Sequence, residues 1–126
     1  MTSEQVATIA EAEVKVRLER ELPKWYYEDG WIRREYKTEG WKGTLMVVNA
    51  IGHLAEAAWH HPDLCVSYAI VIVKLMSHDA NGITERDFAL AHKIEDFIQW
   101  QPAKEGGPLS GTPNDDQRFR YIKYDS

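Results

Sequence analysis

The sequence contains little that would suit a secreted, membrane-spanning or nucleic-acid-binding protein. Its one cysteine, Cys65, excludes an internal disulfide and favours an intracellular compartment. With 15 Lys and Arg against 20 Asp and Glu, the composition does not favour binding to nucleic acid or anionic lipid. No apolar run is long enough to span a bilayer, and the acidic, Ala-rich N-terminus lacks the pattern of a signal peptide. We therefore expect a cytoplasmic protein without a membrane or nucleic-acid partner.

The apolar content is sufficient for one folded domain. Hydrophobic residues make up 44% of the chain and charged residues 28%, which is typical of a globular protein and excludes general disorder. Beyond Trp100 the composition becomes rich in Gly and Pro, and it ends in the alternating segment "RFRYIKYD". Alternation of this kind predicts a terminal strand with anchors on both faces. We expect a domain over residues 1–100 and a C-terminal extension over 101–126 that packs on the domain or on a neighbouring subunit.

The first part of the chain predicts a helix followed by a hairpin. Thr2 and Gln5 have capping-box spacing ahead of apolar residues at helical spacing, and Pro23 would end that helix. The stretch "KWYYEDGWIRREYK" is typical of two strands joined by a turn at Asp29-Gly30.

The remainder of the chain continues this alternation. A second helix is predicted from Trp41, and β-branched residues after Pro62 predict two short strands or one long bent strand. Cys65 falls among these residues, where the role of a small buried hydrophobe is expected. Thr84 and Asp87 have the spacing of a cap for a third helix. The order of helices and paired strands favours an α+β layer over a parallel sheet.

The second predicted helix is apolar around most of its circumference. A helix that contacts only one neighbouring layer usually has a polar opposite face, so this pattern indicates a subunit contact in addition to the sheet. One face carries Leu45, Val48, Ala55 and Trp59, and the other apolar positions are Met46, Val47, Ala50 and Leu54.

Two adjacent histidines stand where the second helix should end. Pro62 cannot continue a helix and biases His61 toward an extended backbone, so His60 would lie at the helix end and His61 just outside it. Glu56 is one turn before His60 and could orient its imidazole. His78 follows the predicted strand segment, and it would join the pair if that segment runs back beside the helix end.

Other interpretations of these histidines remain open from the residues alone. They could be ordinary structural or surface histidines, which is the interpretation we give His53 and His92. Three histidines could also bind zinc, but adjacent residues are awkward co-ligands and a helical His-x-x-x-His pair is absent around this site. We therefore predict no metal.

The motifs resemble those of the pterin-4a-carbinolamine dehydratase family. The resemblance rests on "AEAAWHHPDL", on Tyr68, and on "SHDANGITERDFALAHKIE", with "LPKW" and "DGWIRREYK" matching in the N-terminal half. It implies a four-stranded antiparallel sheet with helices packed on one face, and a homodimer or homotetramer. It also implies dehydration of 4a-hydroxytetrahydropterin to quinonoid dihydropterin in pterin recycling, without a metal or organic cofactor.

The resemblance further implies a set of site residues. His61 and His78 would transfer protons, and His60 with Glu56 would hold the pterin, while the choice of acid and base stays open. The catalytic set is His60, His61 and His78, and the substrate-binding set is Glu56, Trp25, Asp79, Arg86 and Asp87.

The sequence departs from the family pattern at two points. Proteins of this fold also have other functions. Trp59 stands where a small polar residue is usual, and Ala69-Ile70 follows Tyr68 where Asn-Lys is common. The alternative function is a non-catalytic binding protein of the same fold, either a transcriptional coactivator or an enzyme-assembly factor. An enzyme acting on a different reduced pterin is also open.

Overall fold

Two β-hairpins supply one antiparallel sheet in the computed structural model, which describes residues 7–113 and 115–126. Strands β1 (Tyr26–Glu28) and β2 (Trp31–Lys37) form the first hairpin, and β3 (Asp63–Ser67) and β4 (Ile70–Leu75) form the second. The strand order is β1-β2-β4-β3. The helices are α1 (Glu11–Glu21), α2 (Trp41–Ala58) and α3 (Glu85–Ile98). The predicted α+β class is confirmed, and within the described ranges no helix is long and apolar enough to cross a membrane.

Both hairpins follow from their turns. Asp29 and Gly30 have φ values of 51° and 87°, which is the positive pair that a two-residue hairpin turn needs. In the second hairpin, Ser67 pairs with Ile70 across a turn at Tyr68 and Ala69. The alternative of one long bent strand is therefore wrong.

Burial alternates along the two central strands, because one face of the sheet is covered by the helices. The helix α3 begins at a complete capping box, in which the Thr84 side chain and the Asp87 carboxylate each accept a hydrogen bond from the helix N-terminus. The buried residues facing the helices are Ile32, Arg34, Tyr36, Val71, Val73 and Leu75, and those of the helices include Val14, Leu18, Val47, Ile51, Phe88 and Ile94.

Two sequence predictions are wrong: where α1 begins, and that Cys65 is buried. The first helix begins at Glu11, later than predicted, because the Ile9 amide donates to the Ile83 carbonyl at 2.8 Å and holds the backbone there extended. The predicted cap at Thr2 and Gln5 lies outside the described residues. Cys65 is exposed rather than buried, because β3 is an edge strand and Cys65 is on its open face.

The C-terminal extension is irregular rather than a strand. It contains 3₁₀ turns over Pro102–Glu105 and Gln117–Phe119 and a single bridge between Thr38 and Ile122. The Lys123 amide donates to the Lys37 carbonyl at 2.9 Å, and the Glu39 amide donates to the Tyr121 carbonyl at 3.1 Å. Strand β1 pairs with β2 only as far as Arg33, so the end of β2 has free backbone groups for the extension to use.

One glycine lets the extension approach α2 closely. A Cβ placed at Gly43 would lie 2.2 Å from the Tyr121 carbonyl oxygen, a distance that no side chain can occupy. Ile122 is buried beside this contact. The approach of the extension therefore depends on the absence of a side chain at Gly43.

Glu95 on α3 accepts hydrogen bonds from side chains in and next to the first hairpin. Glu95 Oε1 accepts from Trp25 Nε1 at 2.9 Å, from Arg34 Nε at 2.9 Å and from Tyr36 Oη at 2.7 Å. Burial by itself would raise the pKa of Glu95, but the hydrogen bonds from Arg34, Tyr36 and Trp25 outweigh it and lower the pKa. This group, the Glu95 cluster, is part of the core.

Candidate active site

The helix α2 ends two residues before the first histidine, in a left-handed turn at Trp59. Trp59 has φ 53° and ψ 45°, and the His60 amide donates to the Ala55 carbonyl at 3.1 Å. This is the Schellman ending, which usually places Gly at the left-handed position. A bulky residue with positive φ is uncommon. Because of this turn, both His60 and His61 lie outside the helix, and their rings point to different partners.

His60 contacts a buried carboxylate on α3. Its Nε2 is 2.6 Å from Asp87 Oδ1, and the side chain of Asp87 is fully buried. The other oxygen of Asp87 accepts from Ser77 Oγ at 2.8 Å and from the Thr84 amide at 2.9 Å. The carboxylate that caps α3 is therefore also the partner of His60. The prediction that Glu56 orients His60 is wrong.

Glu56 instead contacts His61. The distance from Glu56 Oε1 to His61 Nε2 is 2.9 Å, and both side chains are largely exposed. The Trp59 ring meets the His61 ring edge-to-face, with 5.1 Å between centroids. Glu56 still orients a histidine, but the left-handed turn at Trp59 makes it the second of the pair.

His78 is exposed and lies just past the end of β4. Its ring meets the Trp31 ring edge-to-face at 5.6 Å, and the Lys74 ammonium lies 4.8 Å from the Trp31 centroid. Ser77, the neighbour of His78 in the chain, donates to the same Asp87 that His60 contacts. The His78 segment and the histidine pair are therefore connected through Asp87. Sequence reasoning missed Ser77, although it directly precedes His78.

The remaining predicted site residues lie in two places. Arg86 Nη2 donates to Asp79 Oδ1 at 2.7 Å, next to His78 in the chain, and this hydrogen bond lowers the pKa of Asp79 and raises that of Arg86. Trp25, which the resemblance implies as a substrate-binding residue, lies in the core. It is 3% exposed and belongs to the Glu95 cluster, and Glu95 is two turns of α3, about 12 Å, from Asp87.

A cavity of about 1030 Å³ lies between the extension and the end of β2, and no histidine in the described part of the chain lines it. Its lining includes Lys37, Trp100, Tyr121 and Tyr124. In residues 7–113 and 115–126, no three His, Cys, Asp or Glu side chains are arranged to hold a metal ion. The groups around the histidines include carboxylates, indoles, the Ser77 hydroxyl, the Lys74 ammonium and the Arg86 guanidinium.

Comparison with known proteins gives consistent matches. Residues 7–97 match the family model described as pterin 4 alpha carbinolamine dehydratase. A protein of Aquifex aeolicus, whose provisional name is pterin-4-alpha-carbinolamine dehydratase, is 50% identical over 94 residues, covering 75% of this chain and 94% of that protein. A protein of Chloroflexus aurantiacus with the same provisional name is 38% identical, covering 71% of this chain and 96% of that protein.

A solved structure is also similar. The crystal structure of a transcriptional coactivator/pterin dehydratase from Brucella melitensis is 29% identical, with a TM-score of 0.66, and the match covers 73% of this chain and 98% of that one. The matched region of the family model includes Glu56, the three histidines and Asp87, and it ends before the extension. The chain belongs to the pterin 4 alpha carbinolamine dehydratase family.

Proposed function

We propose that this protein is a 4a-hydroxytetrahydropterin dehydratase that works by histidine acid–base catalysis. The observation that carries the proposal is the pair of His–carboxylate contacts, His60–Asp87 and His61–Glu56, connected to the His78 segment in a chain of this family. Imidazoles oriented by carboxylates are suited to proton transfer near neutral pH.

The reaction is two proton transfers and the loss of water. The bond between C4a and its hydroxyl breaks, and the leaving oxygen takes a proton from one acid. The lone pair of N5 forms a C=N bond, and a base removes the N5 proton. No electrons are exchanged with an outside acceptor, and side chains supply both proton transfers, so the proposal includes neither a metal nor an organic cofactor. Positioned acid–base groups of this kind contribute roughly 10²- to 10⁴-fold in rate.

We assign His60 to substrate holding rather than to proton transfer. An ionised Asp87 can only accept, so His60 Nε2 carries the proton of the 2.6 Å contact. In the neutral ring, Nδ1 is then an acceptor. The buried carboxylate keeps the ring in that orientation, which suits binding of a donor group of the pterin.

His61 and His78 are the proposed proton-transfer residues, because both are exposed to an incoming substrate. Glu56 orients His61, and the Arg86–Asp79 pair beside His78 provides further polar contacts for the pterin. Trp25 is left out of the proposed site because it lies in the core. The proposal includes a cytoplasmic location and a homodimer or homotetramer.

The test is turnover of 4a-hydroxytetrahydropterin by the purified protein and by three variants. His61→Ala and His78→Ala should each lower kcat by about 10²- to 10⁴-fold. His53→Ala is the matched control, since His53 is exposed on α2 and outside the proposed site, and it should keep the native rate. Equal rates for all four proteins would contradict the acid–base assignment.

A binding protein is the second candidate, and one observation favours it. Trp41, Leu45 and Met46 are 40–49% exposed near the start of α2, and grouped exposed apolar residues are typical of an interaction surface. The similar Brucella protein is described as a coactivator as well as a dehydratase. Absence of turnover with the native protein would favour this candidate, and turnover of only another reduced pterin would change the substrate.

A further inference from the structure

Each of the two proposed proton-transfer histidines packs against a tryptophan. His61 meets Trp59 with 5.1 Å between ring centroids and an interplanar angle of 82°, and His78 meets Trp31 at 5.6 Å and 77°. In an edge-to-face contact the positive edge of one ring points at the negative face of the other, which favours one relative orientation. The two histidines therefore have the same kind of aromatic support, although they come from different parts of the chain.

A tryptophan at position 59 is unusual both in its backbone conformation and in its exposure. Its backbone is in the left-handed region, which favours glycine, and its side chain is 75% exposed. Neither the backbone nor burial of the indole in the described chain accounts for a tryptophan here. Its contact with His61 gives the indole a role that a glycine could not fill.

Trp31 is itself held in place. It pairs with Glu28 in the first hairpin, immediately after the Asp29-Gly30 turn, and the Lys74 ammonium packs over its ring at 4.8 Å. Lys74 pairs with Asp63 on the next strand, near the histidine pair. Trp31 thus connects His78 to strands β2 and β4.

We propose that Trp31 and Trp59 are positioning residues, which hold the imidazoles of His78 and His61 in the orientation needed for proton transfer. The proposal rests on the proposed function. Neither indole needs to touch the reacting atoms. Each limits the rotation of one exposed imidazole. Trp59 adds to the Glu56 contact at His61, and Trp31 supplies the ring contact at His78.

The experiment compares two pairs of variants with a control. Trp59→Gly removes the indole and also relieves the left-handed backbone, so its thermal stability should be equal to or above that of the native protein. Trp59→Phe keeps an aromatic ring. Trp31→Leu and Trp31→Phe form the second pair, and Trp100→Ala, an exposed tryptophan beyond the family-matched region, is the control.

The first readout is NMR of histidine rings labelled with ¹³C at Cε1, which requires no substrate. Trp59→Gly should change the ring-current shift of His61 alone, and Trp31→Leu that of His78 alone. Unchanged shifts in both variants would overturn the proposal whether or not the protein is a dehydratase. This readout separates failure of the proposal from failure of the proposed function.

The second readout is steady-state kinetics. Trp59→Gly and Trp31→Leu should each lower kcat about tenfold with KM little changed, since misplacement of a catalytic group affects the reaction step. The Phe variants should recover most of the rate, and Trp100→Ala should match the native protein. A rise in KM at unchanged kcat would show substrate binding instead, and native kcat in Trp59→Gly would overturn the proposal.

Discussion

His60 Nε2 and Asp87 Oδ1 lie 2.6 Å apart, and the other oxygen of the same carboxylate caps helix α3. A group needed to begin a helix thus also orients a proposed site residue. The cap fixes the carboxylate, and the carboxylate fixes the imidazole. Asp87 therefore contributes both to the stability of α3 and to the orientation of His60.

The first prediction concerns Asp87→Asn. The amide oxygen can still accept from Ser77 and Thr84, but its NH₂ group then faces His60 and cannot accept the imidazole proton. We expect KM to rise by about tenfold with kcat little changed, because the other tautomer of His60 is favoured and this residue holds the substrate. Stability should fall by about 1–3 kcal/mol from imperfect pairing of a buried group. Steady-state kinetics and urea unfolding measure the two effects.

The matched control for this variant is Asp96→Asn, an exposed aspartate on the same helix. It should change neither KM nor the midpoint of unfolding. A native KM in Asp87→Asn would contradict the role of the His60 tautomer in holding the substrate.

The second prediction concerns acid stability at the contact between α1 and α3. Glu21 accepts from His92 at 2.9 Å and from Arg17 at 3.1 Å, and these hydrogen bonds lower its pKa from the ordinary 4.5 to about 2. A carboxylate whose pKa is lower in the folded state stabilises the fold. Its contribution is complete when the pH is above the pKa of the unfolded state, about 4.5, and is lost as the pH falls through about 2.

Glu21→Gln should therefore be less stable than the native protein by about 1 kcal/mol near neutral pH, and the difference should vanish toward pH 2. Urea unfolding at several pH values measures it. Glu19→Gln, an exposed neighbour on α1, is the control and should show no such pH dependence. A difference that stays constant down to pH 2 would contradict the ion-pair explanation.

The third prediction concerns the extension and Gly43. Gly43→Ala should destabilise the full chain, since its Cβ would meet the Tyr121 carbonyl oxygen at 2.2 Å and force the extension away. In a chain shortened to residues 1–100 the same substitution should stabilise by up to about 1 kcal/mol, because Ala is the better helix former. A thermal-unfolding cycle of the four proteins gives the coupling. The same effect in both chains would show that the extension does not pack there.

The fourth prediction concerns assembly. We expect the protein to be at least a dimer, because Trp41, Leu45 and Met46 are exposed on α2. Light scattering should give a mass above 14.5 kDa at micromolar concentration. Leu45→Glu with Met46→Glu should lower that mass, whereas Val16→Glu, at a more exposed apolar position on α1, should not. A native mass of 14.5 kDa would contradict the prediction.

The parts of the fold that the sequence predicted are those set by local chemistry. The Asp29-Gly30 turn and the Thr84/Asp87 cap depend on a few adjacent residues, and both are confirmed. The partner of Glu56 was not predictable, because it depends on the left-handed backbone at Trp59, which a tryptophan does not signal. The double role of Asp87 could not be inferred either, since its contact with His60 spans 27 residues of sequence.

The extension shows the same limit. The alternation predicted anchors on both faces, but Ile122 is buried while Phe119 is 51% exposed. A strand also requires a partner with several free backbone groups. The bridge between Thr38 and Ile122 supplies a single position, so the segment stays irregular. The number of free backbone groups at a sheet edge depends on the folded sheet. It cannot be predicted from the sequence of the extension.

The Glu95 cluster has a consequence for how related sequences can diverge. One carboxylate accepts from Trp25, Arg34 and Tyr36, and Arg34 is 1% exposed. Replacing Glu95 alone would leave a buried guanidinium without its counter-charge, at a cost of about 3–5 kcal/mol. A lineage that loses the carboxylate must therefore also replace Arg34, and we expect the two positions to covary as ionic or apolar pairs across homologues.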